Sequence, residues 1–355
     1  MTITGSSLSR RSLLKSAAPA IAGGIAAIGA VRQAAAEPFG SAPGAASLES
    51  GKIWSGEYWA HRGDLKLYMY RKRVGAPKPG KETRPVLFLT HGSFVSSRST
   101  FDLTVPGHGE YSLMDVFARY GFDVWTMDFA GYGRSTWPKD NSNIADGVLD
   151  LAAGTEVMAR ETGQERFNYY GESSGALRAG AFAMANPERM NRLCLVSFTY
   201  TGKGSPTLGK RAEMAPYLRT HNRRPRDRKM IDSIFTRDKP GTSDPAVAVA
   251  LADTELKLGD SCPTGTYLDM VTKLPIVDPL KVLCPVLIMR GQYDGIAALP
   301  DVLDFYEKLQ NFDRWFVIIP GASHAVALGT NRRLLWHTMH SFLDEPARLD
   351  VPQKS

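Results

Sequence analysis

The sequence predicts an α/β protein in which a mostly parallel sheet is flanked by helices and carries a helical cap insertion. Short, nearly continuous apolar runs, typical of strands buried on both faces, alternate with segments of helical period. Such alternation implies parallel strands joined by right-handed crossovers. It stops between Thr201 and Pro279, where a charged, helix-favouring segment bounded by Gly and Pro indicates an insertion. We therefore expect a core over 51–200 and 280–345 and a cap over 201–279.

Composition and charge exclude several protein classes. The 355 residues are 43% hydrophobic and 10% aromatic, which is ordinary for a globular protein and excludes collagen, coiled coil and wholesale disorder. The three cysteines permit one disulfide at most, and their spacing does not match a zinc site. Four basic residues and no acid lie before residue 37, so the rest carries 39 basic against 36 acidic residues. This balance argues against a nucleic-acid partner.

The N-terminus resembles a twin-arginine export signal over residues 1–36. The pair Arg10-Arg11 precedes the uncharged stretch Ser16–Val31, and Ala34–Ala36 then provides small residues for cleavage. We therefore expect engagement with the export machinery and a periplasmic or secreted protein. The uncharged stretch of 16 residues is shorter than the ~20 that span a bilayer, so no stable membrane anchor is expected. Residues 37–50, rich in Gly, Ala, Pro and Ser, form a predicted linker.

The mature chain begins with a predicted antiparallel hairpin. The alternating segments Lys52–His61 and Leu65–Val74 are joined by a turn that contains Gly63-Asp64. A polar loop, Ala76–Arg84, then leads to the apolar run Pro85–Thr90. We predict that this run is a strand with both faces buried.

Helices and strands alternate after this run. Leu113, Val116, Phe117 and Tyr120 recur at helical spacing before the predicted strand Phe122–Met127. The remaining predicted elements are the helix Ile144–Glu161, the strand Phe167–Tyr170, the helix Ala176–Asn186, the strands Arg192–Phe198, Pro285–Met289 and Trp315–Ile319, and the closing helix Arg332–Leu343. Because the carboxyl ends of parallel strands meet at one edge of a sheet, residues that follow these strands are expected to lie close together.

The strongest motif is Gly171–Gly175, which reads Gly-Glu-Ser-Ser-Gly and lies between a predicted strand and a predicted helix. A serine in such a strand-to-helix turn needs small residues two positions to either side, because the strand and the helix approach each other closely. The turn lifts the serine hydroxyl above the sheet, beside a helix N-terminus. Ser173 is therefore the predicted nucleophile, and its neighbour Glu172 is expected to be a buried hydrogen-bonding support rather than a proton-transfer group.

A second motif, Thr90–Phe94, follows the first buried strand. Backbone amides after such a strand can face the nucleophile, so the amides of Ser93 and Ser174 are predicted to hold a developing oxyanion, with Phe94 as an alternative donor. His91 is expected to be a structural histidine that hydrogen-bonds to loop backbone, in preference to a general base.

A serine hydroxyl needs a histidine to remove its proton, and that histidine needs an acid to fix its tautomer. His324 lies just beyond the last predicted strand, and Asp294 follows the strand before it. Both are thus expected at the sheet edge that carries Ser173. The remaining histidines outside the Thr90–Phe94 loop are expected to be surface or packing residues: His61, His108, His221, His337 and His340.

Together these motifs resemble the α/β-hydrolases, in the group that contains serine esterases, lipases and C–C hydrolases. The resemblance covers Lys52–Leu343 except for the cap. The matching segments are His91-Gly92, the DxxGxGxS turn Asp128–Ser135, the elbow Gly171–Gly175, the GxxD loop Gly291–Asp294 and the GxxH loop Gly321–His324.

The resemblance implies a role for each of these residues. Ser173 would be the nucleophile, His324 the base and then the acid, and Asp294 the group that orients the histidine. The oxyanion hole would be formed by the amides of Ser93 and Ser174. The DxxGxGxS segment maps to a structural turn, so its Asp and Arg are outside the predicted catalytic set.

A serine nucleophile predicts an acyl-enzyme, and ester or lactone hydrolysis is the expected reaction. Haloalkane dehalogenase and epoxide hydrolase chemistry is disfavoured because those reactions need a carboxylate nucleophile. Cleavage of a C–C bond beside a ketone, or of an amide, stays open as an alternative, and so does a non-catalytic binding member of the fold. Export favours small or oligomeric esters from outside the cytoplasm as substrates. No phosphate-binding glycine motif follows a strand, and no HExxH or Cys cluster occurs, so no cofactor or metal is expected.

Two further groups of residues are candidates for substrate contacts. Aromatic residues near the expected loop ends could line an apolar pocket, although core packing would explain them equally well: Phe94, Trp137, Phe198, Tyr200 and Tyr267. A basic run in the cap is expected to be a solvated surface, with binding of an anionic substrate group as the alternative: Arg219, Arg223, Arg224, Arg226, Arg228 and Lys229.

Overall fold

The computed structural model of the chain describes residues 48–78 and 84–344. The predicted export signal over 1–36 and the predicted linker up to residue 47 lie outside the described residues. Among the helices of the described ranges, none is both long enough and apolar enough to cross a membrane.

In the described residues, eight strands form the main sheet and two short strands form a separate ribbon. In chain order the strands of the protein are β1 (Ile53–Arg62), β2 (Leu65–Val74), β3 (Val86–Thr90), β4 (Asp123–Met127), β5 (Phe167–Glu172), β6 (Met190–Val196), β7 (Arg223–Pro225), β8 (Ser261–Pro263), β9 (Val286–Gly291) and β10 (Arg314–Ile319). The main sheet has the order β1-β2-β4-β3-β5-β6-β9-β10, while β7 and β8 form a separate antiparallel ribbon. From β4 to β10 in this order neighbouring strands pair parallel, whereas β2 pairs antiparallel with both β1 and β4. The predicted mostly parallel α/β sheet is confirmed.

Helices cover the sheet and form most of the cap. They are α1 (Ser97–Phe101), α2 (Leu113–Arg119), α3 (Ile144–Thr162), α4 (Ser174–Ala185), α5 (Pro206–Ala212), α6 (Ala215–Thr220), α7 (Arg228–Thr236), α8 (Pro245–Glu255), α9 (Gly265–Thr272), α10 (Leu299–Lys308) and α11 (Arg332–Leu343). Short 3₁₀ turns occur at Pro187–Arg189, Pro279–Lys281 and Val326–Leu328. The sequence analysis did not identify α1 or α10.

Element boundaries differ from the predictions by a few residues, for local reasons. β5 continues to Glu172, two residues beyond the predicted end, because Gly171 and Glu172 still pair with β6. β6 ends at Val196 rather than at Phe198, because Ser197 has a φ of +51° and leaves the extended conformation.

The central strands are buried on both faces, which explains their continuous apolar runs. Along β3, Phe88 belongs to the core under α3 and α4, while Leu87 and Leu89 belong to a second core under α2 and α11. Successive side chains of a strand point to opposite faces, so a strand that is covered on both sides needs apolar residues at every position. Because the strands are packed on both faces, the positions at which the following loops begin are fixed.

The segment between β6 and β9 contains α5 to α9 and the ribbon β7–β8. Apolar residues of α7 and α8 pack against the loop that follows β3, for example Ile231 and Val247 against Val95 and Leu103. A nearly fully buried ion pair joins Arg226 to Glu255 at 2.6 Å, and Glu255 also accepts hydrogen bonds from the backbone and side chain of Ser96. The predicted cap segment is thereby fastened to the first loop of the sheet edge.

Candidate active site

Ser173 lies in a strained turn between β5 and α4. Its φ of +58° is in the region that non-glycine residues rarely adopt. A side chain at Gly171 would meet the backbone oxygen of Gly175 at 2.5 Å, and a side chain at Gly175 would overlap the backbone of Thr90. The glycines on both sides are therefore required by close backbone approach, as the motif predicted.

The structure brings Ser173, His324 and Asp294 together. His324 Nε2 lies 3.0 Å from Ser173 Oγ, and His324 Nδ1 lies 2.9 Å from Asp294 Oδ1. Asp294 follows β9 and His324 follows β10. These strands are parallel neighbours, so both residues lie at the same edge of the sheet, where the carboxyl ends of the strands meet. The chain order is Ser, Asp, His, as expected from the sequence.

Asp294 is held as a carboxylate. Its Oδ1 also accepts hydrogen bonds from the backbone amides of Ile296 at 2.9 Å and Ala297 at 3.0 Å. Burial alone would raise the pKa of Asp294, but the charge and hydrogen bond of His324, together with the two amides, outweigh it and keep the pKa well below its usual range. A carboxylate in this place fixes the imidazole with its proton on Nδ1, which leaves Nε2 free to accept a proton from Ser173.

Glu172 is buried next to the nucleophile and accepts a hydrogen bond from Tyr170 at 3.1 Å. Burial raises the pKa of Glu172 to about 7, although the Tyr170 hydroxyl opposes this, and Asp294 adds to it. Glu172 contacts neither His324 nor the Ser173 hydroxyl through a hydrogen bond in the part of the chain that the structure describes. This placement agrees with the expected supporting role.

His91 is fully buried and serves the loop backbone. Its Nδ1 donates to the carbonyl of Gly92 at 2.8 Å, and its Nε2 accepts from the amide of Phe129 at 3.2 Å. Burial lowers the pKa of His91 to about 3, and the nearby Arg178 lowers it further. His91 is therefore a neutral structural histidine, as predicted.

Ser93 and Ser174 lie beside the nucleophile and are linked through their side chains. The loop before Ser93 approaches closely, since a Cβ on Gly92 would lie 3.3 Å from Ser173 Cβ. The Ser93 hydroxyl donates to Ser174 Oγ at 2.7 Å and accepts from Thr266 Oγ1 at 2.8 Å, while the Ser93 carbonyl accepts from Tyr132 at 2.9 Å. Thr266 lies in the first turn of α9, so a chain of buried hydroxyls connects the cap segment to both predicted oxyanion residues.

The amides of these residues are available to a ligand. The backbone N–H groups of Ser93, Phe94 and Ser174 donate to no acceptor within residues 48–78 and 84–344. Ser174 is the first residue of α4, where a helix leaves its N–H groups without internal partners. The geometry is compatible with Ser93 and Ser174 as donors, and Phe94 remains the alternative.

A small cavity of about 80 Å³ opens beside Ser173 and His324. Of the predicted aromatic residues, Phe94 and Tyr267 lie in its wall. A larger cavity of about 660 Å³ lies next to it, under α5, and the two share Arg211 and Arg237. A volume of several hundred Å³ is typical of small-molecule sites.

The other three aromatic candidates lie outside the wall of this cavity, in agreement with the packing alternative. Trp137 is 43% exposed and stacks on Arg223, whose guanidinium carbon lies 3.7 Å from the ring centroid. Phe198 is fully buried and packs on Phe305, with ring centroids 4.6 Å apart. Tyr200 also packs on Phe305, with ring centroids 5.3 Å apart. These side chains stabilise the core and the base of the cap.

The basic run of the cap divides into structural and exposed residues. Arg226 forms the buried pair with Glu255, and Arg223 donates to the carbonyls of Gly131 and Ser261. The remaining members are exposed except for Arg224, which is partly buried: Arg219, Arg224, Arg228 and Lys229. None of the six lies in the wall of either described cavity.

Sequence reasoning missed four residues of the site. Arg211 and Arg237 line the cavity, and Thr266 and Tyr132 hold Ser93. Thr266 and Ser93 are 173 residues apart, and no motif of the single sequence connects them. Tyr132 lies inside the predicted DxxGxGxS turn, which was the only available signal for it.

Residues 104–330 match the family described as serine aminopeptidase, S33. A probable lipase of Schizosaccharomyces pombe is 30% identical over 145 residues, which cover 37% of this chain and 32% of the relative. A 2-hydroxy-6-oxononadienedioate/2-hydroxy-6-oxononatrienedioate hydrolase of Paraburkholderia phymatum is 31% identical over 152 residues, which cover 41% of this chain and 44% of the relative. The chain thus spans less than half the length of these relatives.

Solved structures show the same fold. An α/β-hydrolase fold protein from Chitinophaga pinensis superposes with a TM-score of 0.61 at 14% identity, covering 82% of this chain and 98% of the other. A 2-hydroxy-6-oxo-6-phenylhexa-2,4-dienoate hydrolase from Rhodococcus has a TM-score of 0.58 at 17% identity, with coverage of 83% and 100%. Since the family match extends over more than half of the chain, this protein is an α/β-hydrolase enzyme that belongs to the serine aminopeptidase S33 family.

Proposed function

We propose that this enzyme hydrolyses a carboxylic ester or lactone through an acyl-enzyme on Ser173. The observation that carries the proposal is the hydrogen-bonded series from Ser173 Oγ to His324 Nε2 and from His324 Nδ1 to the Asp294 carboxylate. This is the arrangement that activates a serine hydroxyl at neutral pH.

Each step follows from this geometry. His324 Nε2 removes the hydroxyl proton as Ser173 Oγ forms a bond to the substrate carbonyl carbon. The protonated His324 then gives that proton to the departing alcohol oxygen as the C–O bond breaks. Water attacks the acyl-enzyme in the same way, with His324 taking its proton and returning it to Ser173 Oγ, which releases the acid.

The negative oxygen that develops in both steps would be held by the amides of Ser93 and Ser174. Support for this comes from their free N–H groups, from the position of Ser174 at the start of α4, and from the close approach of the Gly92 backbone to Ser173. The hydroxyl contact of Thr266 and the Tyr132 contact restrain Ser93, so its amide would need no reorganisation during the reaction.

Hydrolysis of a C–C bond beside a ketone is the second candidate. It is favoured by the similarity to the hydrolase from Paraburkholderia phymatum, which is named for an oxononadienedioate substrate. Ser173 Oγ would attack the ketone carbon while His324 takes the hydroxyl proton. The C–C bond would then break, and the departing carbon, rather than an alcohol oxygen, would receive that proton from His324. The same catalytic residues could therefore perform either reaction. The two reactions differ in the leaving group, which is an alcohol in one and a carbon acid in the other.

A substrate panel with purified enzyme tests the proposal. We expect turnover of 4-nitrophenyl and lactone substrates, with slower or no cleavage of the matched anilide and of a vinylogous 1,5-diketone acid. Release of the alcohol faster than the acid, seen as an initial burst, would support the acyl-enzyme. Preferred cleavage of the diketone would favour the second candidate, and failure to cleave any member of the panel would contradict the proposed function.

We also propose that the enzyme acts outside the cytoplasm, on the basis of the Arg10-Arg11 pair and the uncharged stretch that follows it. The double substitution Arg10→Lys and Arg11→Lys keeps the charge but removes the guanidinium groups. We expect the precursor to accumulate in the cytoplasm, measured by cell fractionation and immunoblotting. Unchanged export of the double variant would argue against a twin-arginine route.

A further inference from the structure

Two arginines of the cap have no counterion near the active site. Arg211, at the end of α5, lines both cavities, and its guanidinium forms no hydrogen bond or ion pair with the residues of 48–78 and 84–344. Arg224, in β7, likewise has no polar partner in these ranges, and its Nε is buried. A buried guanidinium nitrogen without an acceptor is costly, because it has lost water and gained no hydrogen bond.

Both guanidinium groups lie against one aromatic ring. The guanidinium carbon of Arg211 is 5.2 Å from the ring centroid of Tyr267, and that of Arg224 is 4.9 Å from it. Tyr267 also lines the cavity that contains Ser173. The two positive charges therefore lie close to the same wall residue, Arg211 in the cavity wall and Arg224 outside it.

Within the described residues no acid forms an ion pair with Arg211 or Arg224, although Asp238 lies in the wall of the larger cavity with Arg211. Asp238 is paired instead with Arg237, whose Nε lies 3.4 Å from Asp238 Oδ1 and which lines the same two cavities as Arg211. Burial lowers the pKa of Arg211 to about 10. The positive charges of Arg237 and Arg224 add to this effect, while Tyr267 and Asp238 oppose it without cancelling it. Arginines in excess of the two paired acids in the wall of the larger cavity, with no ion pair on Arg211 in the described ranges, indicate a place for an anion.

Other cap arginines show the contrast. Arg223 donates to backbone carbonyls, Arg226 pairs with Glu255 inside the protein, and Arg228 pairs with Asp253 on the surface. These three have structural partners within the described chain. The side chains of Arg211 and Arg224 have no such partner there, and Arg211 lies in the wall of both cavities.

We propose that Arg211 binds a carboxylate of the substrate, and that Arg224 adds positive potential at the same end of the cavity. The planar guanidinium matches a carboxylate through two parallel hydrogen bonds, which suits a group that must be positioned while a carbonyl reacts at Ser173. The preferred substrates are then esters that carry an acid group, rather than neutral lipids. This inference rests on the proposed function, since it concerns the same site.

Two matched pairs of esters test where the charge is bound. In the first pair the acyl part carries the carboxylate: mono-4-nitrophenyl glutarate against 4-nitrophenyl pentanoate. In the second the alcohol part carries it: 4-acetoxybenzoate against 4-acetoxybenzamide. We expect wild-type kcat/KM to favour the charged member of at least one pair. Arg211→Gln should lower kcat/KM for that member by about 10- to 100-fold, mainly through KM, and leave its neutral partner within about twofold.

Three variants serve as controls. Arg228→Gln removes a surface arginine of the same cap and should not change the preference. Arg211→Lys keeps the positive charge but removes the planar guanidinium, so this variant should retain part of the preference for the charged ester. Arg224→Gln should lower kcat/KM for the charged ester less than Arg211→Gln does. Arg224 is proposed to contribute only electrostatic potential, without a direct hydrogen bond to the substrate. Thermal unfolding of each variant shows whether the cap is intact.

Calorimetric titration with glutarate decides the inference without turnover. We expect glutarate to bind the wild-type enzyme and to bind Arg211→Gln about 10- to 100-fold more weakly, with the wild-type affinity falling at higher salt. Equal affinity for both proteins, or equal losses on charged and neutral esters, would overturn the inference. An enzyme that binds glutarate through Arg211 but cleaves no ester would support the anion site and contradict the proposed ester hydrolysis.

Discussion

Ser173→Ala is expected to lower kcat by about 10⁴- to 10⁶-fold, because it removes the atom that forms the acyl-enzyme. His324 Nε2 lies 3.0 Å from that atom, so the imidazole would lose its proton donor and could only activate water. The amides of Ser93 and Ser174 would remain, and this accounts for any residual rate above the uncatalysed reaction. The measurement is steady-state turnover of the best ester of the panel.

The fold should survive this substitution. Alanine and serine meet the same backbone strain at a φ of +58°, and only one hydroxyl is removed. We expect the unfolding temperature to stay within about 3 °C of the wild-type value. Ser233→Ala, in the exposed part of α7, is the matched control and should keep full activity. A Ser173→Ala enzyme that works within tenfold of wild type would refute the mechanism.

A covalent label provides an independent readout of the same prediction. An organophosphonate that transfers its phosphonyl group to an activated serine should add one mass increment to the wild-type protein and none to Ser173→Ala. If the variant were labelled at another serine, that serine rather than Ser173 would be identified as the nucleophile. This measurement does not depend on knowing the natural substrate.

Asp294→Asn is expected to lower kcat by about 10⁴-fold, the second-largest effect. The carboxylate accepts from His324 Nδ1 and from the amides of Ile296 and Ala297, all through Oδ1. An asparagine can turn its NH₂ group toward Nδ1, which would place the imidazole proton on Nε2 and block proton transfer from Ser173. It also removes the negative charge that stabilises the imidazolium formed during attack.

The pH dependence distinguishes this account from a general loss of stability. Because the folded-state pKa of Asp294 is depressed, the carboxylate is ionised throughout the neutral range. Its contribution to stability is complete above its unfolded pKa of about 3.9 and is lost as the pH falls through the lower folded value. The variant should therefore stay slow at every pH between 6 and 9, and activity that recovers at high pH would indicate another orienting acid.

Asp278→Asn is the control for this substitution. Asp278 caps a 3₁₀ turn by accepting from the amide of Leu280 and lies outside the catalytic series. It should cost some stability and leave kcat unchanged. If both variants lost activity equally, the effect of Asp294→Asn would have to be assigned to folding.

The sequence alone identified the three residues that the structure brings together. Ser173 and His324 are separated by 151 residues, and Asp294 and His324 by 30. Prediction was possible because each residue is marked locally: each follows an apolar strand, and parallel strands end at a common edge. The need for glycine on both sides of Ser173 could also be predicted from the motif, since close backbone approach excludes any side chain there. The mostly parallel sheet followed from the same strand pattern.

Only the tertiary structure decided which side chains surround the substrate cavity. Phe94 and Tyr267 line it, whereas Phe198 packs into the core, although all three are aromatic residues near loop ends. No sequence motif marks Arg211, which the tertiary structure places in the wall of the cavity that contains Ser173, with no ion pair in the described chain. These positions depend on how the cap docks on the sheet, through contacts such as Thr266 to Ser93 between distant segments. Local periodicity contains no information about such contacts, because it reports burial and conformation but not the identity of the neighbour.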